Sequence, residues 1–277
     1  MFEFLSNFFQ KHKIPYVAAL ALSDCRIQKP YLLKKAGIDD GMVILFAVPY
    51  LSPQGLDPAR NLSAYAVPRD YHAYFEALFG ELLPLLGKKF PNNRFAGFAD
   101  HSPIDEVDAA ARAGLGVIGK NHLLITREHS SFVFLGEIIT DAHWKIARQE
   151  PVPCPGCNAC VRACPAANGG VCLSALTQKK GDLTDAEQVQ LLQHGMVWGC
   201  DICQTVCPYT RQALQDGHLF TEIPYFTDQT LSHLTSAELD AMSDAEFSKR
   251  AYAWRGRSTV GRNITLLNEK GDSTCSS

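Results

Sequence analysis

The chain has 277 residues, of which 46% are hydrophobic and 20% charged, and its formal net charge at pH 7 is −3. This length and apolar content suit a globular protein with one large core or two unequal ones, and the weak net charge provides no overall basic surface for nucleic acid. The longest apolar run covers residues 42–48, too short to span a bilayer, and no signal-peptide cleavage site follows the N-terminal segment. We therefore expect a cytoplasmic protein without a membrane partner.

The first 145 residues alternate apolar runs typical of strands with amphipathic stretches typical of helices. One predicted helix has Ser102 as its N-cap and Pro103 in its first turn. The alternation predicts a layered α/β or α+β domain over residues 1–145. Strands are predicted at 16–22, 42–48, 94–98, 122–126 and 131–140, and helices at 2–11, 31–36, 70–86 and 103–113.

The stretch GLGVIG at 114–119 matches the letters of the dinucleotide-binding fingerprint GxGxxG. That fingerprint follows a strand and opens a helix, whereas this stretch follows a predicted helix and leads into a predicted strand. The glycines therefore favour the end of a helix and a tight loop rather than a dinucleotide site.

Two polar positions in this domain are candidates for chemistry. Asp100 ends a predicted strand just ahead of a helix, where a carboxylate can point into a cleft, although the same position suits an ordinary cap or turn residue. His72, with Asp70 and Tyr71, is either a polar wall of a site or the start of a surface helix. The spacing of these residues does not decide between the alternatives.

Ten cysteines occur in the chain, and eight of them lie between residues 154 and 207. The segment 146–212 is rich in Cys, Pro and Gly and has too few apolar residues for a core of its own, so a metal scaffold is expected to organise it. The isolated Cys25 is interpreted as a small buried apolar residue and Cys275 as a thiol in a disordered tail. Residues 213–277 are predicted to form a tail packed on the core, with helices at 236–242 and 244–254.

The clustered cysteines form two motifs, CxxCxxCxxxCP from Cys154 and CxxCxxxCP from Cys200, with Cys172 between them. The first matches the bacterial ferredoxin arrangement, in which three closely spaced thiolates bind one [4Fe–4S] cluster and the fourth binds a second. By the same crossing, Cys207 is expected to complete the first cluster. Structural zinc is the alternative, but zinc ribbons rarely place four cysteines so closely. The predicted ligand sets are Cys154, Cys157, Cys160 and Cys207 for one cluster, and Cys164, Cys172, Cys200 and Cys203 for the other.

Several segments together resemble the epoxyqueuosine reductase family, cobalamin-dependent iron–sulfur enzymes that complete queuosine synthesis on tRNA and are related in fold to reductive dehalogenases. The matching stretches are AYAVPRDYH (64–72), DHSPIDE with RAGLGVIGKNHLLI (100–125), SFVFLGEIITD (131–141), CPGCNACVRACP (154–165), CLSALT (172–177), GCDICQTVCP (199–208) and FSKRAYAWRGRSTVGRN (247–263).

The resemblance implies an α+β fold in which a nitroreductase-like N-terminal domain holds base-off cobalamin against a ferredoxin-like domain with two [4Fe–4S] clusters. Electrons from an external donor such as ferredoxin or flavodoxin would pass through the clusters to cobalt, and Asp100, the aspartate of the DxxP motif, would protonate the opened epoxide. The expected partner is tRNA and the expected state is a monomer. The residues expected near the corrin are Tyr65, Asp100, Leu124, Ser174, Asp201 and Ile202.

Three features depart from the family pattern. Val107 follows Glu106 where an arginine is usual, the N-terminal segment is shorter, and the chain ends soon after residue 270, where family members usually continue into helical repeats that help to bind tRNA. Within a basic stretch near the end, which is usually just a solvated helix face, Arg255, Arg257 and Arg262 could still contact phosphates. A non-catalytic electron carrier or corrinoid-activating protein is the alternative to an enzyme. The basic residues are Lys249, Arg250, Arg255, Arg257 and Arg262.

Overall fold

The computed structural model describes residues 1–146, 153–167 and 169–273, with side chains up to residue 268. The chain divides into two compact units, each discontinuous in sequence. The domain boundaries expected near residues 145 and 212 stay predictions. Unit 1 comprises Met1–Tyr50, His72–Cys157 and Gln212–Ile223, and unit 2 comprises Leu51–Tyr71, Asn158–Arg211 and Pro224–Ser277.

Unit 1 is built on a four-stranded sheet in the order β1-β2-β6-β3, and every pairing in it is antiparallel. Every residue of β2 is buried, as expected for a central strand covered on both faces. The mixed helix-and-sheet class is confirmed, and the antiparallel pairing makes it α+β. The strands are β1 (Tyr16–Ala21), β2 (Met42–Pro49), β3 (Phe95–Phe98), β4 (Val117–Ile118), β5 (Leu124–Ile125) and β6 (Val133–Thr140).

Four helices accompany this sheet: α1 (Phe2–Lys11), α2 (Pro30–Ala36), α3 (Tyr71–Lys89) and α4 (Glu106–Arg112). The first three lie close to the predicted ranges, but the prediction that Ser102 caps the fourth is wrong. The N-cap of α4 is Asp105, whose carboxylate accepts a hydrogen bond from Asp108 N at 3.2 Å. The helix begins later than predicted because the preceding residues pair with another segment, through a β-bridge between Ile104 and Ile27.

The glycine-rich stretch ends α4 and enters a hairpin, in agreement with its interpretation as a helix end and tight loop. Gly114 has φ +86°, which favours glycine, and it follows the C-cap Ala113. A Cβ at Gly116 would lie 2.4 Å from Ile125 O, so the hairpin of β4 and β5 requires glycine there. No phosphate-binding strand–turn–helix is formed by these residues.

Unit 2 packs short helices around Trp198 and Tyr252, which are both fully buried with ring centroids 6.2 Å apart. The predicted helix at 244–254 is wrong in length, since it ends at Phe247, and the helix from Arg257 was not predicted. The remaining helices are α5 (Ala159–Ala163), α6 (Leu173–Thr177), α7 (Asp185–His194), α8 (Ile202–Thr205), α9 (Pro208–Gln215), α10 (Pro224–Thr227), α11 (Ser236–Ala241), α12 (Asp244–Phe247) and α13 (Arg257–Ser273).

Two further expectations concern membranes and the isolated cysteines. Within the part of the chain that the structure describes, no helix combines the length and the apolar character needed to cross a bilayer. Cys25 packs against the core of unit 1, as predicted, and burial raises the pKa of its thiol to about 12. Cys275 lies outside the described residues.

Replacing Gly136 with alanine is expected to destabilise unit 1. Gly136 lies on β6 opposite Phe46, and a Cβ there would lie 2.5 Å from Phe46 Cζ and 2.6 Å from Phe75 Cε1. Overpacking of this kind costs about 1–3 kcal/mol. Urea unfolding of Gly136→Ala measures the loss, with Gly80→Ala in α3 as the control, since a Cβ at Gly80 meets nothing within 4 Å. Equal stabilities of the two variants would contradict this packing argument.

Candidate functional site

Asp100 lies in the loop between β3 and α4, where its side chain is 62% exposed. Its backbone has φ +63°, a left-handed conformation that is uncommon for a residue other than glycine. The Asp100 Oδ2 atom lies 3.4 Å from His72 Nε2 on α3. Two polar residues that the sequence suggested separately are therefore neighbours in unit 1.

The loop that carries Asp100 is fixed by the segment that leads into α2. The ring of His101 lies between Lys29 Nζ, at 3.2 Å, and the hydroxyl of Tyr31, at 2.8 Å. The carbonyl oxygen of Pro103 accepts hydrogen bonds from the backbone nitrogens of Gln28 and Lys29, at 2.8 and 3.0 Å. These contacts on both sides of the DxxP motif set the position of its aspartate.

One fully buried acid, Glu137, and one half-buried acid, Glu106, lie beside this loop, and sequence reasoning missed both as functional candidates. Glu137 on β6 is completely buried, and Glu106 opens α4 and accepts a hydrogen bond from the backbone N–H of Asp100. Burial, followed by the negative charges of Asp100 and Asp105, raises the pKa of Glu106 to about 7. Burial and then the charge of Glu106 raise the pKa of Glu137 well above its ordinary value. The signal in the sequence was a glutamate within the apolar strand VFLGEIIT.

Val107 follows Glu106 where the family resemblance leads us to expect arginine. Its side chain packs against the hydrophobic core of unit 1, among residues that include Ile104 and Ala110. An apolar residue at this position extends the core beside the DxxP loop and provides no cation there.

Unit 2 brings cysteines from three elements near one another. Helices α5 and α8 pack together, and they carry Cys160 and Cys203. Burial, followed by the charges of Asp201, Cys172 and Cys164, raises the pKa of the Cys200 thiol to about 11. Cys164 and Cys172, two further predicted ligands of the same cluster, therefore lie in the neighbourhood of Cys200.

Gly199 shapes the backbone just before this cysteine pair. It has φ +72°, and a Cβ there would lie 2.1 Å from Ser63 Oγ. Its backbone N–H donates to Thr177 Oγ1 at 2.9 Å, which ties the GCDIC turn to α6. The tight turn that presents Cys200 therefore depends on glycine.

The other predicted ligand set, Cys154, Cys157, Cys160 and Cys207, draws on residues of both units, and its pairing stays a prediction. Across residues 1–146, 153–167 and 169–273, no three His, Cys, Asp or Glu side chains form a group that could hold a metal ion. The donor chemistry fits iron–sulfur clusters, because all eight candidates are thiols, and Cys164 and Cys172 lie near enough to raise the pKa of Cys200 in unit 2.

Asp201, a predicted corrin neighbour, has protein partners for its carboxylate in unit 2. Its Oδ2 atom accepts hydrogen bonds from Arg60 Nη1 at 2.8 Å and from Ala64 N at 2.7 Å, and Oδ1 accepts one from Gln204 at 3.2 Å. Burial raises the pKa of Asp201, and the guanidinium of Arg60 opposes that rise. These contacts give Asp201 a structural role next to Cys200, and its contact with a corrin stays a prediction.

The remaining predicted corrin neighbours are divided between the units. In unit 2, Tyr65 is a mostly buried phenol whose hydroxyl accepts a hydrogen bond from Trp198 Nε1 at 2.7 Å, and the Ser174 hydroxyl accepts one from Gln178 at 3.1 Å. Ile202 opens α8. In unit 1, Leu124 is 3% exposed and belongs to the hydrophobic core. The structure brings Tyr65, Ser174, Asp201 and Ile202 into one unit.

Two arginines of the basic stretch bond to the protein itself. Arg257 donates to Leu239 O at 2.6 Å and to the carbonyl oxygen of Met242, and Arg262 donates to Lys179 O at 2.7 Å. They stabilise the C-terminal helices of unit 2, so these two side chains do more than solvate a helix face, and phosphate contact by the basic stretch stays a prediction.

Comparison with known proteins relates this chain to epoxyqueuosine reductases. It is 35% identical over 232 residues to an epoxyqueuosine reductase of Gloeobacter violaceus, covering 79% of this chain and 71% of that protein. This chain belongs to the epoxyqueuosine reductase family. It is also 35% identical over 209 residues to the Listeria monocytogenes enzyme, with 72% of this chain and 54% of that one covered, so it spans about half the length of that relative. No profile of a known protein family matches the chain.

Solved structures of epoxyqueuosine reductases share the fold. One that contains an epoxyqueuosine-modified tRNA-Tyr stem loop aligns with a TM-score of 0.75 at 22% identity and covers 96% of this chain and 80% of that one. A Bacillus subtilis structure, in which the catalytic aspartate loop is swung out of the active site, aligns with a TM-score of 0.74, also at 22% identity, with the same coverage. At this identity the likeness concerns the fold.

Replacing Glu106 with glutamine is expected to stabilise the protein at alkaline pH. The pKa of about 7 exceeds the ordinary value of 4.5, so folding stability falls as the pH rises through this interval and the buried carboxyl ionises. A neutral amide avoids that loss, which is at most about 3 kcal/mol. Urea unfolding on either side of the interval measures the difference between Glu106→Gln and wild type, with the exposed Glu76→Gln as control. A gain that is the same at both pH values would refute the buried-acid explanation.

Proposed function

We propose that this chain is an oxidoreductase that uses two [4Fe–4S] clusters and cobalamin to reduce epoxyqueuosine to queuosine in tRNA. The observation that carries the proposal is that eight clustered cysteines and a DxxP aspartate, Asp100, occur together in a member of the epoxyqueuosine reductase family. The N-terminal domain would be nitroreductase-like and the cysteine-rich domain ferredoxin-like.

The thiol groups would hold the clusters in the two sets predicted from the motifs, and Tyr65, Leu124, Ser174, Asp201 and Ile202 would lie near the corrin. When bound, these cofactors would supply low-potential electrons and a strongly reducing cobalt centre. The fully buried Trp198 supports the position of Tyr65 through the hydrogen bond between their side chains. The buried pair of Arg60 and Asp201 orders the backbone beside Cys200.

Asp100 would donate the proton that the epoxide oxygen needs as its C–O bond breaks. A carboxyl group serves as a general acid near neutral pH only if dry, apolar surroundings raise its pKa. Asp100 is 62% exposed, so the bound cofactor and substrate would have to cover it. Its left-handed backbone and the neighbouring His72 hold the carboxylate at the surface of the loop, ready for that contact.

The substrate would be tRNA, supported by the family structure with a bound tRNA stem loop. Trp254 is 58% exposed, and the guanidinium of Arg255 lies 3.8 Å from the centre of its ring. Exposed aromatic and guanidinium planes are surfaces on which unpaired bases stack. An external low-potential carrier such as ferredoxin or flavodoxin would supply the electrons.

A strain that lacks this protein is expected to accumulate the epoxide form of the nucleoside, and the wild-type chain should restore queuosine. Asp100→Asn should not restore it, because an amide donates no proton; loss of a general acid costs about 10²–10⁴-fold in rate. Mass-spectrometric analysis of tRNA nucleosides measures both forms.

Two controls make this result specific. Purified Asp100→Asn should keep the visible absorption of bound clusters and cobalamin, and Asp39→Asn, which changes an exposed aspartate outside the loop, should complement fully. Queuosine in tRNA from the Asp100→Asn strain would assign the proton to another acid. Unchanged nucleosides in the deletion strain would point to another substrate.

The ligand sets predict which cluster each cysteine supports. Anaerobically reconstituted wild type should contain about eight irons, and Cys207→Ala and Cys172→Ala should each lose about four. Electron paramagnetic resonance of the reduced variants should show different surviving clusters. Cys25→Ala is the control, because Cys25 packs against the core of unit 1. Loss of the same cluster in both variants would overturn the assignment.

A further inference from the structure

The proposed reaction needs more protons than Asp100 carries. Converting an epoxide to an alkene breaks both C–O bonds, forms a C=C bond and releases the oxygen as water, which consumes two electrons and two protons. A low-potential carrier would supply the electrons, and one ionisation of Asp100 supplies one proton. The second proton has to reach the loop from solvent or from another group of the protein. This inference rests on the proposed function.

The two acids beside the loop, the fully buried Glu137 and the half-buried Glu106, are placed for that task. Glu137 is fully buried at the centre of the sheet, and among the described residues neither of its carboxylate oxygens has a hydrogen-bond partner, although Ser102 lies near enough to lower its pKa. Glu106 Oε2 is also buried without a described partner, while the Glu106 carboxylate accepts the backbone N–H of Asp100. An unpartnered buried carboxylate is costly, whereas a protonated acid supplies its own donor.

The surroundings favour a single negative charge or none on this pair. Strands β2 and β3, which flank β6, carry no titratable side chain, as their sequences MVILFAVP and FAGF show. Lys29 is the cation that favours ionisation of both acids. The other titratable groups around the pair are Asp100 and Asp105 beside Glu106, Cys25 beside Glu137, and Asp24, Asp108 and Arg112 around Cys25.

We propose that Glu106 and Glu137 form a buried proton reservoir that reloads Asp100 and so supplies the second proton of the reaction. Asp100 gives its first proton to the epoxide oxygen and becomes an anion next to the protonated Glu106. Glu106 then transfers its proton to Asp100 and is reprotonated from Glu137, and Asp100 passes this second proton to the departing oxygen. Glu106 and Glu137 are positioning residues for proton supply, since neither is proposed to touch the substrate.

The electrostatics suit a reservoir at neutral pH. A proton store works when its pKa lies near the working pH, because it is then both loaded and able to release. The pKa of Glu106 is about 7, and the anion formed at Asp100 interacts directly with it. Glu106 is half-buried, so the pair can take up protons from solvent again between turnovers.

The test compares Glu106→Gln, Glu137→Gln and wild-type holoenzyme with an epoxyqueuosine-containing tRNA stem loop and a chemical reductant. We expect kcat to fall by about 10²-fold in both variants with KM unchanged, and the decline of the wild-type rate above about pH 7 to disappear in Glu106→Gln. The control Glu76→Gln should match wild type. The proposal would be overturned if both reservoir variants kept the wild-type kcat and pH profile. It would also be overturned if kcat fell and the pH dependence disappeared in His72→Gln but not in the two reservoir variants.

Infrared spectroscopy gives a readout that does not depend on turnover. The wild-type protein should show the carbonyl band of a buried protonated carboxylic acid, which shifts in D₂O, titrates near neutral pH and is altered in Glu106→Gln and Glu137→Gln. Absence of such a band would exclude the reservoir even in an active enzyme. If wild type does not reduce epoxyqueuosine but keeps the band, the proposed function fails and the buried acid pair stands.

Discussion

The pairing of β2 with β6 is the constraint on which the rest of unit 1 depends. It places Glu137 opposite Leu45 at the buried centre of the sheet, where a carboxylate cannot be hydrated. The same register sets Gly136 opposite Phe46, whose ring fills the space a side chain would need. A strand whose two neighbouring strands are apolar thus carries one acid, and burial raises the pKa of that acid well above its ordinary value.

Glu137 is connected to the protein surface through Glu106 and then the DxxP loop. Glu106 lies between Glu137 and the DxxP loop, because α4 begins at Glu106 and packs on β6. The loop itself is restrained by His101 and by the backbone bonds of Pro103, and the Asp100 side chain is 62% exposed to solvent. A left-handed residue costs about 1 kcal/mol or more, which is consistent with a loop held for function.

The motifs of the sequence predicted much of this arrangement. Helix α1, the central strand β2 and the cysteine pattern follow from periodicity and spacing, which depend on residues close together in the chain. The predicted helix at 236–242 is likewise found as α11, and a local capping box of Thr235 and Glu238 sets its start. The prediction failed where a contact with a distant segment overrides the local signal. Ser102 does not cap a helix, because Ile104 pairs with Ile27 and the helix begins only at Glu106.

The sequence by itself determined the cysteine motifs, the DxxP aspartate and the family, since each is written in short runs with a defined spacing. Only the tertiary structure decided that Glu106 and Glu137 lie together, that Arg60 neutralises Asp201, and that Arg257 binds its own backbone. The reason is physical: the protonation and charge of a group depend on which distant residues exclude water from it, and no local pattern records that.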